Sequence, residues 1–525
     1  MRFVSDPEIA IKIERMKERV RWKHSTIQER GIDQTRFVLH DENSDSPDFS
    51  FLVIGDTGSG NDRGKNAQRR VAEHMLKQSE GCRFVLHTGD VVYLVGSSEQ
   101  YPDNFIHPYR EFLLGGDRPD DIPYDRMVFT RPILPVLGNH DYYDLPLVYG
   151  AAVQLFAPVG RLLRHKIDLD LGWHGSYQGD AYARAFLDYL KPLSRPQLEA
   201  HLDRHYTAKV ASGRCLRYEP GEFTRLPNRY YAFRRGGIDF FALDSNTFNA
   251  PEPVPDWSDR EALLSKRTQL ERQKQCLMDE SATLNPEVPD DAQQLNDIRG
   301  KFEQIDEEVN DINKRLTRTT RVATVDVEQL SWLRQGLIDS WRDPEVRGRI
   351  LYFHHPPYIT EATKWHQGQT LAVRRRLRAV FDAAWQVIEE KAGDRLSHDG
   401  SKRPIVDLIL NGHAHCLDYV RTEDTGHADS FLNCLVCGGS GYSLRRQRQE
   451  GPELLEEIDG EGERLVARSH LYVGRHGHGS DKHRPYSFLR IDVHAGTPPR
   501  FTVRPFVSEQ FHHHWHDRAL DPFEL

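Results

Sequence analysis

Short apolar runs, each followed at once by a polar motif, recur along the chain. The runs are rich in β-branched and aromatic residues and are bounded by glycine, which is typical of strands buried on both faces. They lie at 51–54, 84–86, 133–137, 350–353 and 405–410. The motifs that follow are GDTG (55–58), GDVVY (89–93), GNHD (138–141), HHP (354–356) and GHAH (412–415). Because open α/β sheets place their ligand sites beyond the carboxyl ends of strands, we expect all five motifs to meet at one rim.

The side chains of these motifs are of the types that bind metals. Carboxylate, amide oxygen and imidazole donors suit iron, manganese and zinc. They outnumber the ligands that a single tetrahedral ion needs. Two ions about 3.5–4 Å apart, bridged by a carboxylate, would use them all. The sequence therefore predicts a metal site, and a site for two ions.

In order and spacing, the five motifs resemble those of the calcineurin-like metallophosphoesterase superfamily, over roughly residues 48–260 and 325–505. Most of that superfamily has a histidine two residues after the first aspartate, where this chain has Gly58. The purple acid phosphatases instead have a tyrosine three residues after the second aspartate, which is Tyr93 here. The pattern is therefore most similar to that of the purple acid phosphatases.

The resemblance implies seven ligands in two half-sites that share one bridging carboxylate. The first half-site comprises Asp56, Asp90, Tyr93 and His415, and the second comprises Asp90, Asn139, His354 and His413. His355 is expected to orient its neighbour rather than to bind an ion. The alternative for Tyr93 is a core position in which its hydroxyl bonds one carbonyl.

A phenolate ligand favours a trivalent ion. The resemblance implies Fe(III) in the first position with Fe, Zn or Mn(II) in the second, and two divalent ions are the alternative, because a reducing compartment favours Fe(II). Such a pair would generate a hydroxide that attacks phosphorus in line. His140, next to ligand Asn139, is expected to protonate the departing alkoxide as a general acid, or alternatively to orient a ligand.

Composition and terminal sequence limit the class of protein. The net charge of −9 over 525 residues argues against a protein that coats nucleic acid. Six cysteines indicate reduced thiols rather than a disulfide framework. Residues 1–23 contain no apolar core of a signal peptide, and no run of about 18 apolar residues predicts a membrane span. We expect a cytoplasmic enzyme acting on a small phosphate ester.

The chain divides into a catalytic region and several additions. Residues 48–257 and 321–507 form the predicted catalytic domain, within which 142–225 is a cap-like insertion beside the site. Residues 1–47 are expected to be helical or irregular, and 508–525 to be a histidine-rich tail, either solvated or docked. After His415, three strands at 431–437, 487–493 and 501–507 are expected to be antiparallel and to complete a second sheet.

The insertion at 258–320 has a heptad pattern of apolar residues. Its positions are Leu263, Leu270 and Leu277, then Leu295, Ile298, Phe302, Ile305, Val309, Ile312 and Leu316. Pro286 and Pro289 separate the two series, which predicts an antiparallel helical hairpin. We expect the hairpin to join strands rather than to supply ligands. Its arms either bury each other on the body of the protein or mediate docking or self-association.

Together these observations predict an α/β fold, a four-layer α/β/β/α sandwich of two mixed sheets elaborated by the cap and the hairpin. The resemblance implies hydrolysis of phosphate monoesters, because the most similar motif pattern belongs to monoesterases. A phosphodiesterase or nucleotide pyrophosphatase on the same centre is the alternative, and a non-catalytic interaction scaffold is a third. The sequence places no arginine or lysine at the phosphoryl oxygens, so it does not distinguish monoesters from diesters.

Overall fold

The fold is taken from a computed structural model. It describes residues 5–41, 46–58, 66–144, 175–253, 257–285, 288–317, 324–392, 403–458, 462–477, 481–511 and 514–525. Much of the first half of the predicted cap, residues 145–174, therefore lies outside the described residues.

The larger of two sheets has 11 strands among these residues. They are β1 Ile32–Leu39, β5 Ala208–Val210, β6 Gly213–Tyr218, β7 Tyr231–Arg235, β8 Ile238–Ala242, β9 Gly348–Tyr352, β10 Leu408–Asn411, β11 Leu417–Thr422, β12 Asn433–Cys437, β13 Glu453–Ile458 and β14 Gly462–Val473. Their order is β13-β14-β11-β12-β10-β9-β8-β7-β1-β6-β5. Its centre is parallel, since β9 pairs in parallel with β8 and β10, and β10 with β12.

The smaller sheet has 7 strands among the residues described. They are β2 Phe49–Ile54, β3 Cys82–His87, β4 Ile133–Pro135, β15 Arg484–His494, β16 Arg500–Phe511, β17 His514–Ala519 and β18 Phe523–Glu524. The order is β17-β16-β15-β2-β3-β4, with β18 also paired to β16. β2, β3 and β4 are parallel, and β15 joins β2 in antiparallel pairing.

Helices cover the outer face of each sheet. They are α1 Ile9–Arg19, α2 Ser25–Glu29, α3 Ala67–Gln78, α4 Asp180–Phe186, α5 Arg195–His205, α6 Trp257–Ser281, α7 Pro289–Thr317, α8 Val327–Arg342 and α9 Gly368–Ala392. From α3, His74 packs on Phe488 and Phe506 of the smaller sheet. Buried residues of α8 and α9 form one core cluster with residues of the larger sheet. The predicted mixed α/β fold with large sheets and helices is confirmed. No helix in the described part of the chain is both long and apolar enough to span a bilayer.

An aromatic cluster holds the two sheets face to face. Phe51 and Phe84 of the smaller sheet lie 5.6 and 5.5 Å, between ring centroids, from Phe240 of the larger sheet. Phe233 stacks on Phe240 at 4.7 Å and meets Phe84 edge-on at 5.5 Å. All four rings are buried, and each such ring removes a large apolar area from water. This contact fixes the strand ends of both sheets relative to one another.

The structure corrects two expectations about the strands and, for the tail, agrees with the docked alternative. Within 1–47, β1 is a strand of the larger sheet, paired in parallel with β6 and β7. β12 also lies in the larger sheet, parallel to β10, whereas β15 and β16 are the antiparallel pair of the smaller sheet. The tail docks as a strand, because β17 pairs with β16.

The insertion contains two antiparallel helices. The polar contacts between them show this arrangement. Arg267, in the first half of α6, contacts Asn313 near the end of α7, whereas Glu280 at the end of α6 contacts Gln294 near the start of α7. The apolar positions of the heptad pattern pack between them; the buried members of this cluster are Leu270, Leu277, Ile298, Phe302, Ile305, Ile312 and Leu316.

We predict that Phe37→Ala lowers the free energy of unfolding by about 3–5 kcal/mol. Phe37 of β1 is 1% exposed and stacks on Phe233 at 4.9 Å, so its loss leaves a cavity between the sheets. Denaturant unfolding of the variant measures the change. Leu114→Ala is the matched control, because Leu114 is 59% exposed and its change should stay within about 0.5 kcal/mol. An effect of Phe37→Ala as small as that of the control would show that β1 is not part of the core.

Candidate metal centre

The five motifs meet where strands of both sheets end. β2, β3 and β4 lead into the motifs at 55–58, 89–93 and 138–141, and β9 and β10 lead into those at 354–356 and 412–415. All eight residues predicted for the site are buried; they are Asp56, Asp90, Tyr93, Asn139, His140, His354, His413 and His415. The structure brings every one of them into a single cluster.

One set of donor atoms surrounds the Tyr93 hydroxyl. This oxygen lies 3.0 Å from Asp56 Oδ1, 2.8 Å from Asp90 Oδ2 and 3.1 Å from His415 Nε2. His415 Nε2 is also 3.5 Å from Asp56 Oδ1. The four residues are those predicted for the first half-site.

A second set surrounds the side-chain oxygen of Asn139. Asn139 Oδ1 lies 3.0 Å from His354 Nε2 and 3.1 Å from His413 Nδ1. His354 Nε2 is in turn 3.3 Å from Asp90 Oδ2, the same oxygen that faces Tyr93. Asp90 is thus the one residue common to both sets.

These separations fit the coordination of metal ions. Ligand atoms bonded at 2.0–2.1 Å to a tetrahedral or octahedral ion lie about 2.8–3.4 Å from each other. The Nδ1 atoms of His354 and His415 lie 2.9 Å from the carbonyl oxygens of Thr88 and Ser443, to which they can donate. Their Nε2 lone pairs are then free for a metal, as is usual for histidine ligands. The residues present therefore fit a pair of cations.

The pKa values of two residues in the cluster also indicate a cation site. Burial, together with the charge of Asp90, raises the pKa of Asp56 despite the opposing charge of His354. Burial and the charges of Asp56 and Asp90 likewise hold the pKa of Tyr93 well above its usual range. Groups that are so costly to ionise in a buried position become favourable anions when a cation neutralises them.

The structure gives a physical reason for the pairing of Gly58 with Tyr93. A Cβ atom at Gly58 would lie 2.5 Å from both Val91 O and Val92 Cα, so no side chain fits there. The histidine that most of the superfamily carries at this position is sterically excluded by this backbone. Tyr93 approaches from the facing loop and presents its hydroxyl to the same donor set.

The backbone at the predicted ligands is held in an uncommon conformation. Asp56, Asp90 and His413 have φ values of 54°, 54° and 66°, in the left-handed region that non-glycine residues seldom adopt. Such strained positions persist where the surroundings determine them, and they concentrate at functional sites. At Asp90 the determinant is Asp141, whose carboxylate accepts the backbone N–H groups of Asp90, Val91 and Gly138 at 2.8–3.1 Å. Sequence analysis assigned Asp141 no role.

The two remaining histidines occupy different positions. His355 does not face the donor sets, because its Nδ1 and Nε2 atoms contact Ser245 Oγ at 2.8 Å and Asn249 Nδ2 at 3.1 Å. His140 Nδ1 lies 2.6 Å from Leu94 O, which directs Nε2 toward the cluster. Burial alone would lower the pKa of His140, but the charge of Asp90 and the contact with Glu303 outweigh it and raise this pKa to about 9.

Sequence analysis missed four charged residues beside the centre. Arg445 and Lys364 are buried, and Lys364 Nζ lies 3.0 Å from His413 Nε2. Glu303 and Glu307 belong to α7 of the helical insertion, which we expected to join strands rather than to supply ligands. Glu303 Oε1 is 2.9 Å from His140 Nε2. The sequence does contain one signal for this contact. Gly300 is a glycine inside a segment that otherwise favours a helix, and such a glycine can indicate that another part of the chain approaches the backbone closely.

Three solved structures are similar to this chain, each with a TM-score below 0.5. A purple acid phosphatase from yellow lupin (Lupinus luteus) seeds is 11% identical, with a TM-score of 0.42, over 91% of this chain and 54% of its own, so the chain covers about half of that structure. PhoD is 12% identical, with a TM-score of 0.37, over 92% of this chain and 70% of its own. GAP50, the anchor in the inner membrane complex of Plasmodium, is 11% identical, with a TM-score of 0.34, over 90% of this chain and 89% of its own.

No curated protein sequence matches this chain. A match to a family does exist, over residues 49–265, and it includes Asp56, Asp90, Tyr93, Asn139 and His140. The description of that family is calcineurin-like phosphoesterase. Residues 49–265 match the calcineurin-like phosphoesterase family, as the motif pattern predicts.

Proposed function

We propose that the protein is a phosphomonoesterase that works with two metal ions. The family match supports hydrolysis of phosphoester bonds in general. The observation that carries the finer proposal is the position of Asp90 Oδ2, which lies 2.8 Å from the Tyr93 hydroxyl and 3.3 Å from His354 Nε2. One carboxylate oxygen between two complete donor sets is the arrangement that a bridged pair of ions needs.

Bound between these donors, two cations would supply the nucleophile by lowering the pKa of water and would neutralise charge at phosphorus. The residues of the chain would hold these cations in place. Asp56, Tyr93 and His415 would form one side of the centre, and Asn139, His354 and His413 the other. The backbone N–H of His140 donates to Asp90 Oδ1 at 2.8 Å, which leaves Oδ2 directed at both sets.

His140 is the proposed general acid. Its Nδ1 atom is engaged by Leu94 O, which leaves Nε2 as the atom that would transfer a proton. Although burial opposes them, the charge of Asp90 and the contact with Glu303 raise the pKa of His140, which favours the protonated ring. A protonated imidazole held beside the centre can transfer its Nε2 proton to the departing alkoxide oxygen.

The proposal also covers the identity of the two metals and the cellular compartment of the protein. We propose Fe(III) beside Tyr93 with Fe, Zn or Mn(II) beside His354, because a buried phenol ionises most readily on a strongly charged cation. A reducing, cytoplasmic location is supported by the six cysteines, all of which are free thiols. Such a location would favour two divalent ions.

The experiment that tests this function is a hydrolysis screen on protein of measured metal content. Aryl and alkyl phosphate monoesters, bis-aryl diesters and nucleoside triphosphates are compared at equal concentration. Fastest turnover of monoesters supports the proposal. Preference for diesters or pyrophosphates would move the assignment to the alternative, and no turnover of any ester by metal-replete protein would contradict it.

We predict that Asp90→Asn lowers the metal content from two ions per chain to one or none and abolishes turnover. The change removes the charge of the shared ligand while nearly keeping its shape. Elemental analysis and activity are measured together with the melting temperature. Asp418→Asn is the matched control, since Asp418 is a buried carboxylate that accepts from Thr360 and Ser469 outside the centre. Wild-type metal content and turnover in Asp90→Asn would refute the bridging role.

His140→Ala should keep both ions but lower kcat by about 10²–10⁴, the usual contribution of a general acid. The loss should be greater for alkyl phosphates than for aryl phosphates, because a poor leaving group depends more on protonation. Parallel rate measurements on both ester classes test this. Equal losses for the two classes would assign His140 to positioning alone.

Tyr93→Phe should abolish a phenolate-to-iron charge-transfer band that colours the oxidised, iron-loaded protein. Only a hydroxyl is lost, so folding should change little. Tyr442→Phe is the control; its ring stacks on Tyr93 with centroids 3.8 Å apart, but it belongs to neither donor set, and the band should persist. Iron-loaded wild-type protein, verified as Fe(III) and lacking the band, would show that Tyr93 is not a ligand.

A further inference from the structure

Helix α7 has two distinct faces. Its apolar face packs against α6, as described above. Its other face, formed by residues at steps of three and four, contacts the body of the protein largely through charged groups. The members of this face are Asp297, Gly300, Glu303, Glu307, Asp311 and Lys314.

Glu303 lies between the proposed general acid and a buried arginine. Its Oε1 is 2.9 Å from His140 Nε2, and its Oε2 is 3.2 Å from Arg445 Nη2. The side chains of all three residues are buried. The carboxylate therefore covers the Nε2 atom through which His140 would protonate a leaving group.

Glu307 makes a similar contact one turn further along. It forms an ion pair with Lys364, whose side chain is 3% exposed. Lys364 Nζ is also 3.0 Å from Nε2 of His413, a predicted ligand. Ligand atoms of Glu303, Glu307 and His140 all lie within 4.8 Å of one another. Two carboxylates of the insertion thus lie side by side at the rim of the centre.

The cations that these carboxylates neutralise have the chemistry of an anion-binding site. A buried arginine or lysine without a partner is strongly unfavourable. Both cation types bind phosphate as readily as carboxylate, through the same charge-assisted hydrogen bonds. With α7 withdrawn, Arg445 and Lys364 would lose Glu303 and Glu307, and the buried Glu361 would be the acidic neighbour that remains to them. Both cations would then be only partly neutralised.

We propose that Arg445 and Lys364 form a binding subsite for the phosphoryl group of a phosphate ester, and that Glu303 and Glu307 occupy this subsite as an intramolecular substitute for substrate. This inference rests on the proposed function and adds to it how the substrate is held and what competes with it. Substrate binding then requires α7 to move away from the rim.

Ion pairs hold both ends of α7 on the body. Asp297 pairs with Arg475, Lys482 and Arg484 at 2.9–3.2 Å, and Lys314 pairs with Asp6 at 2.6 Å. The side chains of Asp297 and Asp6 are 11% and 9% exposed, so separating these pairs is costly and the state with α7 withdrawn is a minor one. Gly300 permits the close approach, since a Cβ atom there would lie 2.9 Å from the Cβ of Ser443.

The first test measures the affinity for inorganic phosphate by calorimetry on metal-replete protein. Glu303→Gln combined with Glu307→Gln removes both competing charges while nearly keeping side-chain shape. If a competent state is populated at about 1–10%, relief of competition tightens apparent phosphate binding about 10- to 100-fold. Glu308→Gln is the matched control on the same helix, because Glu308 pairs with Lys266 of α6 at 3.1 Å and should leave the affinity unchanged.

A second variant tests the movement without altering any charge. Gly300→Ala adds a Cβ atom for which the contact between α7 and the body has no room, because that atom would lie 2.9 Å from the Cβ of Ser443. The variant should therefore displace α7 and tighten phosphate binding, as the double glutamine variant does.

Unchanged or weaker phosphate binding in the double glutamine variant, or in Gly300→Ala, would overturn the inference. Loss of a bound ion in the double glutamine variant would also overturn it, because Glu303 and Glu307 would then be ligands. These outcomes are separable from failure of the proposed function, which would appear as absence of ester hydrolysis in the wild type, the double glutamine variant and the Glu308→Gln control alike.

Discussion

The candidate centre depends on one carboxylate oxygen. Asp90 Oδ2 lies against both donor sets, so its position determines whether two ions can share a ligand. That position requires a left-handed backbone at Asp90, which the carboxylate of Asp141 stabilises through three backbone N–H groups. It also requires Gly138, where a Cβ atom would lie 2.0 Å from Asp90 Oδ1. The contact between the two sheets brings the remaining predicted ligands, which follow β9 and β10, to the same edge.

The charges around this centre explain why the insertion lies where it does. Buried carboxylates, a phenol and imidazoles are costly together unless cations neutralise them. Beyond the ligands, Arg445 and Lys364 add positive charge at the rim, and α7 supplies Glu303 and Glu307 to balance it. An element that we expected only to join strands is therefore part of the electrostatics of the site. The apolar face of α7 packs against α6 within the hairpin, whereas its charged face contacts residues beside the centre.

Local sequence was sufficient for the five strand-and-motif units, because each is a short buried run followed by a motif whose residues must converge. It was insufficient for β1, whose sequence mixes Asp33, Gln34 and Arg36 with Phe37 and gains its burial only from pairing with β6 and β7. It also missed Glu303, Arg445 and Lys364. Charged residues on a helix or loop are usually solvated, and only long-range packing shows which of them face a cleft.

The measurement that tests the account most directly is an anomalous-scattering crystal structure of the metal-loaded protein. The account predicts two metal peaks about 3.5–4 Å apart. One should lie on Tyr93 and His415, the other on His354 and His413, and both should lie within bonding distance of Asp90. A single ion, or ions bound elsewhere with Asp90 unligated, would contradict it.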